Sequence, residues 1–190
     1  MNQIPDNQMC QLSDNQMCQL HEIQLRAMEP EDLELLYEIE NDRSLWHVGV
    51  SNVPYSRYVL RDYIAKSVGD IYTDCQVRLI MEDKHRQTVG IIDIVNFDAA
   101  HRRAEVGIIV RQEFRQKGYA SAALQEAFDY SKRILHLHQL YAIVATDNKP
   151  GLKLFQKMGF QHTSDLKEWL FDGEKYYDVA FLQLFFEKKQ

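Results

Sequence analysis

Arg115-Gln116-Lys117-Gly118-Tyr119-Ala120 is an Arg-x-x-Gly-x-Ala turn between a strand-like run, Ala104 to Val110, and a helix-like run, Ser121 to Leu135. A glycine at such a junction lets the backbone turn tightly and brings successive amide N–H groups toward one point, where the start of a helix adds unpaired donors of its own. That arrangement binds phosphate. Arg111, Arg115 and Lys117 gather positive charge there, although the chain as a whole carries a formal net charge of −6. The charge is local and suits an anionic ligand. Competing phosphate motifs are missing: there is no G-x-x-x-x-G-K-[ST] and no G-x-G-x-x-G after an early strand. Metal catalysis is poorly supported, because His136 and His138 would diverge on a helix and no H-E-x-x-H occurs. No metal is expected.

The elements that must position this turn follow from periodicity. His21 to Met28 alternates as a half-buried strand does, and Pro30-Glu31-Asp32 opens a helix carrying Leu33, Leu36, Tyr37 and Ile39. A second helix is expected from Arg57 to Val68. Between the two, Leu45 to Tyr55, with Trp46, His47, Gly49 and Pro54, reads as an irregular loop on the substrate side. Gln76 to Met81, Val89 to Phe97 and Arg103 to Val110 are strand signals joined by short polar connections, hence an antiparallel meander. A helix from Ala120 and a strand from Gln139 to Ala145 then suggest a parallel crossover. Asn148 to Met158 forms a short helix stopped by Gly159, and Phe160 to Phe171 and Lys175 to Phe186 are strands joined through Asp172-Gly173. The ending Ala180 to Phe186 reads as an internal strand, with pairing across a homodimer as the alternative.

A chain of 190 residues with 45% hydrophobic content is the size of one domain with a real core. A pI near 5.6 argues against nucleic acid as a partner and leaves room for a cationic substrate. Cys10, Cys18 and Cys75 form no disulfide framework and read as free thiols, and no signal peptide or apolar run of spanning length is evident, so a cytoplasmic protein without a membrane partner is expected. The heptapeptide DNQMCQL occurs at Asp6 to Leu12 and again at Asp14 to Leu20, too little repetition to stack into a core. Residues 1–20 are therefore expected to be a disordered tail and residues 21–190 the domain.

Glu105-Val106-Gly107-Ile108-Ile109-Val110, then Arg115-x-x-Gly118-x-Ala120, then Asn148 through Leu154 and Lys157-Met158-Gly159-Phe160 resemble, in order and spacing, the GNAT N-acetyltransferase family over residues 21 to 187. HRRAEVGIIV followed by EFRQKGYA is similar to the branch of spermidine N-acetyltransferases and ribosomal-protein N-terminal acetyltransferases. The resemblance implies an α/β GNAT-like acyl-CoA N-acyltransferase fold, a mixed central sheet of about six to seven strands flanked by about four helices. It implies acetyl-CoA as cosubstrate, with its pyrophosphate on the amides of Arg115, Gln116, Lys117, Gly118, Tyr119 and Ala120. The pantetheine arm would pair with the backbone of Ile108, Ile109 and Val110, in a gap where the strands after Gly107 and at Gln139 splay apart. Asn148 would touch the cosubstrate, and Lys149 or Lys153 would hold its adenosine end.

Acetyl transfer needs a base for the attacking amine, and Glu105 is the candidate, since alternation puts it on one face with Gly107 and Ile109. A structural pairing with Arg102, Arg103 or Lys117 is the competing reading. Many family members carry a tyrosine seven positions after the Asn148 equivalent to protonate the departing sulfur; this chain has Phe155. Tyr119 and Tyr141 are the substitutes by proximity in sequence. The other possibility is a catalytically weak or non-catalytic acetyl-CoA-binding regulatory protein. Trp46 is assigned to the acceptor side, and the acceptor is expected to be a polyamine, a diamine or a protein N-terminal amine. Val48-Gly49-Val50-Ser51 stands where spermidine enzymes carry an acidic pair.

Overall fold

Arg103–Val110 alternates regularly and is bounded by charged residues, and it forms a strand over that whole length. It is the fourth strand of a seven-stranded sheet in a computed structural model that describes residues 22–45, 53–67 and 70–186. The strands are β1 (Ile23–Ala27), β2 (Val77–Asp83), β3 (Thr88–Asp98), β4 (Arg103–Val110), β5 (Gln139–Ala145), β6 (Gln161–Phe171) and β7 (Tyr176–Phe185). Their order is β1-β2-β3-β4-β5-β7-β6, and every neighbouring pair is antiparallel except β4 with β5. The single parallel pair is the expected crossover.

Among the described residues five α-helices flank this mixed sheet, close to the expected number of about four: α1 (Leu33–Asn41), α2 (Arg57–Lys66), α3 (Ile71–Asp74), α4 (Tyr119–Arg133) and α5 (Lys149–Lys157). The extra one, α3, is four residues long, too short for a 3.6-residue period to show in the sequence. Pro30–Asp32 forms a 3-10 turn and α1 begins only at Leu33. The sheet sorts its side chains by alternation. Ile92, Ile94, Ala104, Val106, Leu140, Ala142 and Val144 pack with Ala123, Leu124, Ala127 and Phe128 of α4, whereas Ile80 and Ile91 pack with Ile39 of α1, with Leu35 and Ile109 against them. One face thus carries the large core under α4 and α5, and the other carries a small core under α1.

That smaller layer is tied down by polar contacts. Asn41, ending α1, donates to the Tyr37 and Tyr55 carbonyls and accepts the Tyr55 N–H at 2.9 Å, which fastens the chain just before α2. Arg78 forks onto Asp93 at 2.8 and 2.9 Å and reaches Glu40 of α1. At the other end of the chain, β7 is paired along both edges, with β5 and with β6, so it is an internal strand and offers no edge to a second copy. The β6–β7 connection turns at Asp172, whose Oδ1 accepts the N–H groups of Glu174 and Lys175, and Gly173 takes the positive φ of 103° that the turn needs. The tail with its repeat lies outside the described residues.

Candidate functional site

β4 and β5 pair only from Arg103–Glu105 against Gln139–Tyr141. Beyond Glu105, β4 continues with β3 as far as Val110 opposite Gly90, and beyond Tyr141, β5 continues with β7. The two strands therefore part and leave a notch with Glu105 and Tyr141 at its closed end. Arg111 donates its backbone N–H to Val89 on β3, and backbone groups alternate between the two edges of a strand. Ile109 and Gly107 consequently point theirs to β3, while Ile108 and Val110 point theirs into the notch. Ile109 packs its side chain against the α1 core instead. A Cβ on Gly107 would meet nothing within 4 Å, so the α1 face of β4 opens to space beside Glu105.

The Arg115–Ala120 turn closes back onto that strand end. Arg115 Nε donates to the Val110 carbonyl at 2.9 Å, and the chain then takes two left-handed residues, Gln116 at φ 61° and Gly118 at φ 87°. Gly118 is the N-cap of α4, and the first intrahelical bond runs from the Ala122 N–H to its carbonyl. The preceding helical N–H groups are directed out of the helix end, the concave arrangement that receives an oxyanion. Lys117 stands over the Phe114 ring at 5.7 Å, and Tyr119 meets the same ring edge-on at 5.8 Å. Arg111 pairs with Glu113 at 3.0 Å and with Glu38 at 3.7 Å, so much of its charge is answered within the chain. These residues fit a pyrophosphate on backbone amides.

Asn148 caps α5 by accepting the Gly151 N–H at 3.0 Å. A Cβ on Gly151 would lie 2.7 Å from Asn148 Nδ2, so a larger residue there would push the capping side chain aside. Lys149 donates to the Thr146 carbonyl and Lys153 is exposed. Phe155 is only 5% exposed and packs edge-on against Phe160 at 5.0 Å, so its ring belongs to the core beneath α5.

Glu105 is half-buried, and burial pushes its carboxyl above the usual carboxylate range, opposed by a hydrogen bond from Asn96 Nδ2 at 2.9 Å. The three cations that could have neutralised it are engaged elsewhere: Arg103 with Asp98, Arg102 with the His136 carbonyl, Lys117 over Phe114. Tyr141 stacks on Phe181 at 5.1 Å, and burial, with the Glu105 carboxylate as a further cause, raises its hydroxyl. Tyr141 and Glu105 are register partners across β4 and β5. Asn96 and Phe181 escaped the sequence reading; the one available signal was an asparagine inside an otherwise apolar strand run. Trp46 lies outside the described residues.

Among the described residues no group of three or more His, Cys, Asp or Glu is placed to hold a metal ion, and no helix is long and apolar enough to cross a membrane. A cleft of about 540 Å³ runs between β1, β2 and α4, lined by Leu25, Val77, Leu79, Glu126 and Tyr130. It lies at the far edge of the sheet, three strands from the closed end of the notch.

Residues 22–161 match the acetyltransferase (GNAT) domain family. The chain is 30% identical over 158 residues to the spermidine N(1)-acetyltransferase of Vibrio cholerae, covering 83% of this chain and 89% of that one. It is 26% identical to a putative ribosomal N-acetyltransferase of Bacillus subtilis, over 85% and 90% of the two chains. The crystal structure of the Vibrio cholerae spermidine N-acetyltransferase with CoA and spermine superposes with a TM-score of 0.78 at 30% identity, covering 86% of this chain and 95% of that chain. With the domain match, the fold and the acetyl-CoA-dependent relatives in agreement, the chain belongs to the GNAT acetyltransferase family.

Proposed function

We propose that this N-acetyltransferase acetylates a primary amine of a polyamine or diamine by direct attack in a ternary complex, with Glu105 as the base. The observation that carries the reading is the parting of β4 and β5 immediately beyond Glu105 and Tyr141, which sets a half-buried carboxylate at the closed end of a notch lined by backbone amides. Acetyl-CoA supplies an acyl group already activated as a thioester. The amides of Arg115 to Ala120 hold its pyrophosphate, the notch-facing backbone of Ile108 and Val110 orients its arm, and Asn148 borders it. Glu105 takes one proton of the incoming ammonium, the amine nitrogen bonds to the carbonyl carbon, the carbon–sulfur bond breaks, and the nitrogen's surplus proton goes to the departing thiolate, so that the neutral amide and the CoA thiol are the products. Such a base contributes ~10²–10⁴-fold.

Of the two tyrosines, Tyr141 is the better acid, since it shares the closed end of the notch with Glu105 while Tyr119 packs on Phe114. A thiol pKa of ~8.5 makes the donor helpful rather than essential, so Tyr141→Phe should slow release of CoA thiol without abolishing it. Wild-type turnover in that variant would remove Tyr141 from the mechanism.

Support for a polycationic acceptor comes from the Vibrio cholerae spermidine N-acetyltransferase, whose crystal structure holds spermine together with CoA. We assign Trp46, which lies outside the described residues, to acceptor binding, and a cytoplasmic location completes the reading. The Bacillus subtilis relative favours a second possibility, a protein N-terminal amine. Thiol release measured with spermidine, spermine, diamines, amino acids and short peptides separates the two. Turnover with polyamines and diamines is expected; turnover with peptides alone would transfer the assignment to the second, and none with any amine above hydrolysis would overturn both.

A further inference from the structure

The β3–β4 ladder runs in register from Gly90 opposite Val110 to Val95 opposite Glu105, and resumes at Asp98 opposite Arg103. Two residues of β3, Asn96 and Phe97, therefore stand against one of β4, Ala104, which is a β-bulge. Ile94 and Phe97 both enter the core under α4 although they are three positions apart. Val95 and Asn96 consequently share the opposite face, the one that carries Glu105. Without the bulge, alternation would send residue 96 to the α4 side.

Asn96 makes the turn by adopting φ 51°, a left-handed conformation that asparagine tolerates better than most residues and that glycine adopts freely. If only the bend mattered, glycine would serve better. What asparagine adds is a carboxamide, and its Nδ2 donates to Glu105 Oε2 at 2.9 Å while the same group reaches the Tyr141 hydroxyl.

We propose that Asn96 is a positioning residue for acetyl transfer: the bulge turns its carboxamide into the closed end of the notch, where it holds the Glu105 carboxylate and the Tyr141 hydroxyl in a fixed relation. The proposal rests on Glu105 being the base. Among the described residues, other polar groups near it on this face lie as follows. Tyr141 comes from β5; Arg103 of β4 pairs with Asp98 of β3; farther along, Asp93 of β3 and Glu40 of α1 hold Arg78 of β2, with Tyr63 of α2 beside it. On β7, Gln183 is bonded to Gln139. Asn96 is the group that donates a hydrogen bond to Glu105.

Asn96→Gly keeps the left-handed backbone and removes the donor; Asn96→Asp keeps the shape and replaces the donor with a like charge. Both are compared with Glu105→Gln for kcat, for the KM of acetyl-CoA, and for the titration of the Glu105 side-chain carbonyl signal in isotope-labelled protein. Asn96→Gly should lower kcat about tenfold, as expected for a lost hydrogen bond to a charged group, with the KM of acetyl-CoA unmoved. The Glu105 midpoint should rise in Asn96→Gly and rise further in Asn96→Asp. If Glu105→Gln is impaired while both Asn96 variants keep the wild-type kcat and midpoint, the positioning role is wrong and the base stands. Wild-type kcat in Glu105→Gln would overturn the base and the positioning role together.

Discussion

As the proposed base, Glu105 is under opposed demands. A base must be ionised, whereas burial favours the protonated carboxyl and raises its pKa above the usual carboxylate range. The folded state therefore binds this proton more tightly than the unfolded chain does. At pH above the raised value the ionised, half-buried carboxylate costs stability; below the ordinary carboxylate value it is protonated in both states and the cost disappears. Glu105→Gln retains an oxygen able to accept from Asn96 and removes the charge. It should lose ~10²–10⁴-fold in kcat, yet unfold at higher urea than the wild type at neutral pH. That stability gap should close as pH falls through the raised pKa. A gap that widens toward acid, or a variant with unchanged turnover, would contradict the assignment. Phe155 shows the same discipline from the other side: an aromatic ring at that position is held by Phe160 in the core, so the missing hydroxyl leaves no polar group stranded there.

At the scale of elements, the donor site depends on how β4 hands over to α4. Gly118 holds φ 87° at the helix N-cap, which for a residue with a Cβ costs ~1–2 kcal/mol. Asparagine and aspartate bear the conformation alike but differ in charge. Gly118→Asn should bind acetyl-CoA more weakly than wild type and Gly118→Asp not at all by calorimetry, since the carboxylate would stand at the anion's place. Equal affinity in the two variants would move the pyrophosphate elsewhere. This turn was legible in the sequence because the requirement is local: one glycine, flanking charges, a strand before and a helix after. The bounds of β4 and β5 were legible for a similar reason, alternation ending at polar residues. The separation of β4 from β5 came only through the family resemblance, which set it after Gly107; that the strands part already beyond Glu105 was not legible, being a relation between strands thirty-odd positions apart in the chain. The Asn96 bulge was hidden as well, because reading Val89 to Phe97 as an unbroken strand assumes the two-residue period that the bulge interrupts. Glu105 could be nominated from its strand, but its true partner could not: the nearby arginines in sequence are turned to Asp98 and to the His136 carbonyl.

Across the whole molecule, the sheet holds two layers by different means. The α4 and α5 layer rests on a large apolar core, whereas α1 rests on Ile39, Ile80 and Ile91 with a few neighbours and is further held by polar contacts, among them arginines from the first two strands. Arg26 joins β1 to Asp32 and Glu82, and Arg78 joins β2 to Asp93 and Glu40, with the Tyr63 ring of α2 5.9 Å away. The Arg78 cluster has side chains about one-fifth exposed, so its charges are poorly screened. Deleting the cation would leave Asp93 and Glu40 without the guanidinium they share, and breaking a buried pair in this way costs about 3–5 kcal/mol. Arg78→Met should therefore lower the urea midpoint substantially, and Arg78→Lys, which keeps the charge but loses the fork, by less. The functional consequence should be lopsided. In the proposed reading the α1–α2 layer walls the acceptor side, while the amides assigned to acetyl-CoA sit at the start of α4 on the better-anchored half. In Arg78→Lys, which stays folded, the KM of the amine should rise more than the KM of acetyl-CoA. A parallel rise in both would mean that Arg78 supports the sheet as a whole rather than the layer above the acceptor.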